Sequence, residues 1–173
     1  MNRKIALAAA TALLLSACAT TDAPPSADGR PAARVDPPAL VASVRAAGET
    51  GNELEVQPLR DPQVEDLRQQ AETAEAAGRH ADAIKALNQA LAIVPDDPDL
   101  LQWKAEIALL RRAWNDAEQL ANLSYEKGPK LGGLCRRNWT TIQHARASRG
   151  DEAGAEVARE QIDGCTVAPP VRM

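Results

Sequence analysis

Three cysteines and two histidines are the residues of this chain that offer thiol or imidazole chemistry. His80 and His144 lie 64 positions apart, and a zinc site built from Cys135, Cys165 and one distant histidine would lack a fourth ligand. The sequence contains no glycine-rich phosphate loop and no Gly-x-Ser-x-Gly motif, and its carboxylates recur at the spacing of exposed helix faces. We therefore expect no enzyme activity, no metal or other cofactor and no small-molecule substrate.

The third cysteine, Cys18, ends a segment typical of an export signal. Arg3 and Lys4 precede an apolar stretch at residues 5–15, which is too short to span a bilayer as a helix. The sequence Leu-Ser-Ala-Cys at 15–18 resembles the bacterial lipobox. That resemblance implies a lipoprotein signal peptide at residues 1–17, cleavage before Cys18, and acylation of the Cys18 thiol and of the new amine. A plain secretory signal that happens to contain a cysteine is the alternative.

Residue 19 bears on the destination of such a lipoprotein. It is Ala and not Asp, and the sorting rule of well-studied lipoproteins then implies the outer membrane, with the anchored chain facing the periplasm. The inner membrane is the alternative. Two acyl chains would give stable anchoring, because each buried methylene contributes about 0.8 kcal/mol.

The segment at residues 18–60 differs in composition from the rest of the chain. Seven of the twelve prolines lie between residues 24 and 62, among small and polar residues. This composition predicts a disordered tether with polyproline II character. Within it, residues 39–47 have the pattern of a short helix ended by Gly48, and Leu54 and Val56 alternate as in a strand. We interpret both as transient structure in a tether.

The composition of the whole chain favours closely packed helices. Of its residues 45% are hydrophobic, but 35 are Ala and none is Phe, so the core is built from small side chains. The net charge is −4 and the isoelectric point is about 5.3. A nucleic-acid-binding domain usually has a net positive charge and a basic surface patch, which this composition does not indicate. We expect an all-α domain that binds no nucleic acid.

Residues 61–165 carry the pattern of six helices. Asp61-Pro62 and Asp97-Pro98 are helix-start signals, each a capping side chain followed by Pro at the first helical position. Gly78 and Gly150 are expected in the turns that separate paired helices. An offset of 34 residues superimposes the pairs that follow: Leu67 and Leu101, Ala71 and Ala105, Ala74 and Ala108, Pro95 and Pro129.

This period and these small residues resemble the tetratricopeptide repeat, from about Val64 to Cys165. The resemblance implies three helix-turn-helix hairpins in a short right-handed solenoid. The third hairpin is degenerate, because Gly150 arrives four residues late and Trp139 stands where the other repeats have Ala. Residues 166–173 follow as an extended tail.

The hairpin resemblance also implies a disulfide. Cys135 precedes Gly150 by 15 residues and Cys165 follows it by 15, which places the two cysteines at one height of an antiparallel pair. The periplasm is oxidising, so a bond is expected where geometry permits. Two buried free thiols are the alternative. The apolar side of the last helix, near Val157 and Ile162, then needs a cover: the tail, the 39–47 segment, or a partner.

In tetratricopeptide arrays the first helix of each pair lines a concave groove that binds an extended peptide or a helix. Carried over by register, the resemblance implies these groove residues: Glu65, Arg68, Glu72, Glu75, Gln102, Glu106, Leu109, Arg136, Thr140, Gln143 and His144.

The leading hypothesis for function is a membrane-anchored adaptor or scaffold of the bacterial cell envelope that binds another envelope protein through this groove. A second hypothesis starts from the charge pattern: residues 127–149 contain six Lys or Arg and no acid. That basic third repeat favours contact with glycans or anionic lipid headgroups.

Overall fold

The computed structural model describes residues 35–51 and 59–166 of the 173-residue chain. Within these two ranges the fold is all-α, as predicted. The helices are α1 (Pro37–Gly48), α2 (Pro62–Ala76), α3 (His80–Ile93), α4 (Pro98–Leu110), α5 (Trp114–Lys127), α6 (Gly133–Ala147) and α7 (Glu152–Gly164). None of the helices in the described ranges is long and apolar enough to cross a membrane.

Aspartate caps begin three of these helices. The side chain of Asp61 accepts a hydrogen bond from the backbone N–H of Gln63 at 2.8 Å, and Pro62 follows it. Asp97 accepts from the N–H of Leu100 at 3.0 Å, and Asp151 caps α7 in the same way. Each cap satisfies one of the donors that a helix leaves unpaired at its start. The predicted start signals at Asp61 and Asp97 are confirmed.

The helices form three hairpins, α2–α3, α4–α5 and α6–α7, and from α2 to α7 each helix packs against the next along the chain. Gly78 and Gly150 occupy the first and third turns with φ of +71° and +81°, a conformation that strains most other residues. Arg112 stands 34 positions after Gly78 and adopts the same conformation, with φ of +58°. The second turn therefore has the same backbone geometry as the first and third turns, although Arg112 replaces glycine there.

Small side chains fill the contact between paired helices. Ala71, Ala83 and Ala90 are completely buried in the first hairpin, and Ala105 and Ala121 are completely buried in the second. Because these residues have no atoms beyond Cβ, the helix backbones approach closely. This is the packing that the alanine-rich composition predicted.

The third hairpin departs from the first two around Trp139. This side chain packs edge-on against the ring of Tyr125 on α5, with ring centroids 5.0 Å apart. It also contacts the small cluster that contains Ala105 and Ile142. The larger side chain thus fills space between hairpins where the earlier repeats place an alanine.

Residues 37–48, which the sequence analysis assigned to a disordered tether, instead form α1, which packs against α4 and α6. Val41 and Val44 are buried there in one cluster with Leu109 of α4 and Ala145 of α6. The helical pattern at residues 39–47 is therefore present, but its interpretation as transient structure in a tether was wrong, because contacts with α4 and α6 stabilise the helix. The proposed strand fragment at Leu54 and Val56 lies outside the described residues.

The last helix keeps an exposed apolar residue. Val157 of α7 is 52% exposed, and α1 packs elsewhere, against α4 and α6. The 39–47 segment is therefore not the cover that the sequence analysis considered for α7. Val167 and Val171 of the predicted tail lie outside the described residues.

Candidate partner-binding groove

Helices α2, α4 and α6 are the first helices of the three hairpins, and α1 lies against α4 and α6. Of the predicted groove residues, Glu65 and Glu72 are exposed. Partly buried residues are Arg68, Glu75, Gln143 and His144. Fully or almost fully buried residues are Gln102, Glu106, Leu109, Arg136 and Thr140. The register placed these residues correctly on the first helices, but it did not show that α1 covers part of their surface.

Glu106 is the centre of the covered part. Its carboxylate is completely buried and receives hydrogen bonds from two arginines. Arg45 of α1 donates to Oε2 at 2.9 Å, and Arg137 of α6 donates to Oε1 at 2.6 Å. Gln102 also donates to Oε1 at 3.1 Å and to Thr141 Oγ1 at 2.8 Å. One carboxylate thereby joins α1, α4 and α6, and its charge is compensated by two cations.

Arg45 reaches a second carboxylate on the neighbouring hairpin. Its Nη2 donates to Glu75 Oε1 of α2 at 2.7 Å. The other oxygen of Glu75 accepts from the indole N–H of Trp103 at 2.5 Å, and the guanidinium of Arg68 lies 5.3 Å from the centre of the Trp103 ring. Sequence analysis missed Trp103. Its signal was the spacing of three residues to Glu106, which places both on one helix face.

Arg136 holds the carboxyl end of α1. The side chain is 3% exposed, and its Nε donates to the carbonyl of Ala47 at 3.0 Å. Its Nη2 donates to the carbonyls of Gly48 and Thr50. The last carbonyls of a helix have no partner within the helix, so this arginine satisfies acceptors that would otherwise need water. Thr140 lies one turn further along α6, and its hydroxyl donates a hydrogen bond to the backbone carbonyl of Arg136 at 2.8 Å.

The other end of the α1 contact is more apolar. Val41 and Val44 lie against Leu109, and the hydroxyl of Ser43 is 2.5 Å from Nε2 of His144. Burial lowers the pKa of His144 below its ordinary value. Gln143 is half-buried beside it. This part of the groove therefore holds α1 through aliphatic contacts and one neutral polar contact.

An open cleft of about 1080 Å³ remains beside α1. It is lined by α2, α4, α6 and the carboxyl end of α1; its walls include Glu65, Arg68, Glu72, Trp103 and Thr50. Glu65 and Glu72 are exposed, so the rim on the α2 side is acidic. Nη1 of Arg68 is buried and has no hydrogen-bond partner among the described atoms. Burial, and after it the charge of Arg60, lower the pKa of Arg68. The cleft thus presents exposed carboxylate oxygens on its α2 side and a guanidinium nitrogen of Arg68 that is unpaired within the described residues.

Comparison with known proteins agrees with this geometry. The tetratricopeptide repeat family matches residues 64–107, which span α2, α3 and most of α4. This segment is similar to a tetratricopeptide repeat. Among solved structures, that of the globular C-terminal domain of P. aeruginosa LpoP is similar, with 28% sequence identity and a TM-score of 0.57. The similarity covers 61% of this chain and 99% of that one. No curated protein matches the chain significantly.

In the third tetratricopeptide-like hairpin, the structure joins Cys135 and Cys165 in a disulfide, with the Cα atoms 5.6 Å apart. Both cysteines are buried, at 1% and 0% exposure. The bond links the start of α6 to the residue that follows α7, so it closes the open end of the hairpin. Next to it, the N–H of Gly132 donates to the carbonyl of Cys165 at 2.7 Å.

The basic residues at 127–149, which run from the end of α5 to the turn after α6, are engaged in contacts within the chain. Arg146 and Arg149 both pair with Glu118 of α5. Burial raises the pKa of Glu118, but hydrogen bonds from Arg149 and Arg146 outweigh it, so the net shift is downward. Arg137 pairs with Glu106, and Lys127 pairs with Asp96 at 2.8 Å. The expected basic surface is therefore largely neutralised. No group of three or more potential metal ligands lies within residues 35–51 and 59–166.

Proposed function

We propose that this protein is a lipid-anchored, non-enzymatic adaptor of the bacterial cell envelope that binds another envelope protein through the open cleft. Three observations support the proposal: the Leu-Ser-Ala-Cys sequence at 15–18, the tetratricopeptide match at residues 64–107, and the similarity to the LpoP C-terminal domain. Ala19 after the cysteine favours an outer-membrane location facing the periplasm.

The cleft of about 1080 Å³ is the observation that carries the binding role. Its exposed carboxylates, Glu65 and Glu72, offer acceptors for the side chains and N–H groups of a bound segment. Trp103 lines the cleft beside them, with its N–H paired to Glu75 and the guanidinium of Arg68 5.3 Å from its ring centre. We expect the partner to present a segment that carries Lys or Arg, because like charges across an interface are costly and opposite charges set its register.

Charge reversal in the cleft tests this role. Glu65→Lys and Glu72→Lys change exposed side chains, so each should alter the free energy of unfolding by no more than about 0.5 kcal/mol. Glu160→Lys on α7 is the matched control, since Glu160 is exposed and not among the cleft-lining residues. The measurement is crosslinking to the partner in native cells, followed by mass spectrometry. We expect the crosslink to be lost in the two cleft variants and kept in Glu160→Lys.

The competing hypothesis, contact of the basic third repeat with glycans or lipids, has less support. Arg137, Arg146 and Arg149 pair with carboxylates of the chain itself. A pulldown on purified peptidoglycan or lipopolysaccharide at low and high salt distinguishes the two. Salt-sensitive attachment that survives Glu72→Lys, together with an unchanged protein crosslink, would reject the adaptor role of the cleft.

A further inference from the structure

Helix α1 lies in the groove in the way that a bound helical peptide would. It makes its contacts with α4 and α6, the first helices of the second and third hairpins. In helix-in-groove recognition, an amphipathic helix lays its apolar face into a hydrophobic groove, with anchors at spacings such as i, i+3 and i+4. Val41, Val44 and Arg45 have this spacing.

The apolar anchors are small and specific. Val41 is 4% exposed and Val44 is not exposed, and both lie in the cluster that contains Leu109 and Ala145. The neighbouring side chains of the same helix, Ala42 and Ser43, are exposed. Only one narrow face of α1 therefore enters the groove.

The charged anchor is matched by two carboxylates. Arg45 directly follows Val44 and donates to Glu75 at 2.7 Å and to the buried Glu106 at 2.9 Å. Glu106 retains Arg137 when Arg45 leaves, so the carboxylate is never left without a cation. The groove therefore tolerates the exchange of one occupant for another.

The end of the helix is recognised as well as its face. Arg136 donates to the carbonyls of Ala47 and Gly48, which are acceptors at a helix carboxyl end. A Cβ on Gly48 would approach Cδ and Cγ of Arg137 to 2.7 and 2.9 Å. The site thus fits a helix that ends three residues after the basic anchor, with glycine at that position.

The start of α1 contributes little to its own stability. The side chain of Asp36 makes no capping hydrogen bond, and the first turn contains no acidic residue. Helices of this length are marginal in water when they stand alone. The contacts with α4 and α6 therefore provide most of the stabilisation of α1.

We propose that the α4–α6 face of the groove is a binding site for an amphipathic helix of the partner protein, and that α1 occupies this site until the partner helix replaces it. The partner helix has the pattern aliphatic, x, x, aliphatic, Lys or Arg, and it ends at a glycine three positions later. This inference rests on the proposed adaptor function and adds a second contact for the partner, on the surface under α1 and next to the open cleft.

The test uses a fluorescent peptide with the sequence of residues 36–49 and fluorescence anisotropy. The peptide is titrated into the full mature chain in detergent, as wild type and as Val44→Asp. Val44→Asp weakens α1 within the chain, while the peptide keeps its own valine. Since apparent affinity scales with the fraction of sites that are open, we expect the variant to bind the peptide at least about tenfold more tightly than wild type. A peptide carrying Arg45→Glu should bind neither protein.

A second variant keeps the test decisive if Val44→Asp disturbs folding. Arg45→Glu changes a side chain that is 45% exposed and leaves the valine contacts intact. It should also open the site, and circular dichroism should show cooperative unfolding like that of wild type. Equal peptide affinity for wild type and both variants would overturn the inference. The inference would also be overturned if the peptide bound none of the three proteins.

Light scattering examines the remaining occupant, a second copy of the chain. A stable wild-type dimer at micromolar concentration that Val44→Asp dissociates would overturn the assignment to a partner protein. None of these measurements uses the native partner. A negative peptide result would therefore leave the adaptor function standing. Conversely, a native crosslink that survives Glu65→Lys and Glu72→Lys would leave the peptide result unchanged.

Discussion

Glu106 shows how one buried side chain can determine the arrangement of three helices. Its two oxygens accept from Arg45, Arg137 and Gln102, which belong to α1, α6 and α4 itself. A buried carboxylate without such donors would be strongly destabilising. Arg137 and Gln102 offset part of the cost of burial without α1, and Arg45 adds the contact by which Glu106 holds α1 against α4.

Replacement of this carboxylate should destabilise the domain. Glu106→Ala leaves Arg137 partly buried without its partner and removes the contact that holds Arg45. Breaking a buried ion pair on one side costs about 3–5 kcal/mol, and the partial exposure of both arginines reduces this to roughly 2–4 kcal/mol. We expect the Tm to fall by on the order of 10 °C in a thermal melt followed by circular dichroism.

Glu160→Ala is the control for the Glu106 experiment, because Glu160 is exposed on α7. Its effect on the free energy of unfolding should stay within about 0.5 kcal/mol. If Glu106→Ala melts at the wild-type temperature, the network around Glu106 does not contribute to stability.

At this scale the sequence predicted which residues share a face but not which of them are covered. The offset of 34 placed Glu106 and Arg136 on first helices, as the structure does. It could not show that Arg45 meets Glu106, because the two residues are 61 positions apart and Arg45 lies in a proline-rich context. Trp103 was accessible to the same spacing argument but received no role.

At the scale of helices and hairpins, agreement between sequence and structure depends on local signals. The starts of α2 and α4 and the turn at Gly78 follow from capping side chains and from one glycine, each of which acts within a few residues. Helix α1 has weaker local signals: the sequence at 39–47 has a helical pattern and Pro37 follows Asp36, but the side chain of Asp36 makes no capping hydrogen bond. It forms because Val41 and Val44 are buried against distant helices, which a local pattern does not contain.

The disulfide at the open end of the last hairpin should add substantially to stability. Cys135 and Cys165 close a loop with a sequence separation of 30, for which loop entropy suggests about 3–4 kcal/mol. Reduction with dithiothreitol should therefore lower the Tm by more than about 10 °C. The double variant Cys135→Ser, Cys165→Ser should melt at this lower temperature with or without the reductant.

Mass measurement after alkylation gives an independent check of the disulfide. Protein exported to the periplasm should take up no alkylating reagent at these two positions unless it is first reduced. Two alkylated thiols in the unreduced, exported protein would contradict the predicted bond.

At the scale of the whole molecule, the proposed anchor determines where the groove is presented. Cleavage before Cys18 removes two of the 20 basic residues and none of the 24 acidic ones, so the net charge changes from −4 to −6. The folded helices begin at Pro37, which shortens the predicted spacer between Cys18 and the domain to residues 19–36.

Replacement of the proposed acylation site tests this arrangement directly. In Cys18→Ser the thiol that would carry the diacylglycerol is absent, and the hydroxyl does not substitute for it in a lipobox. We expect the variant to incorporate no clickable fatty acid in metabolic labelling and to accumulate as an uncleaved or soluble form. Cys135→Ser is the control, because it removes a cysteine of the same chain without touching the signal segment, and its label should equal that of wild type.

If Cys18→Ser and wild type carry equal label, the chain is not anchored through Cys18. The groove would then have to meet its partner without a membrane to concentrate it, so the native crosslink should persist in Cys18→Ser at an undiminished yield.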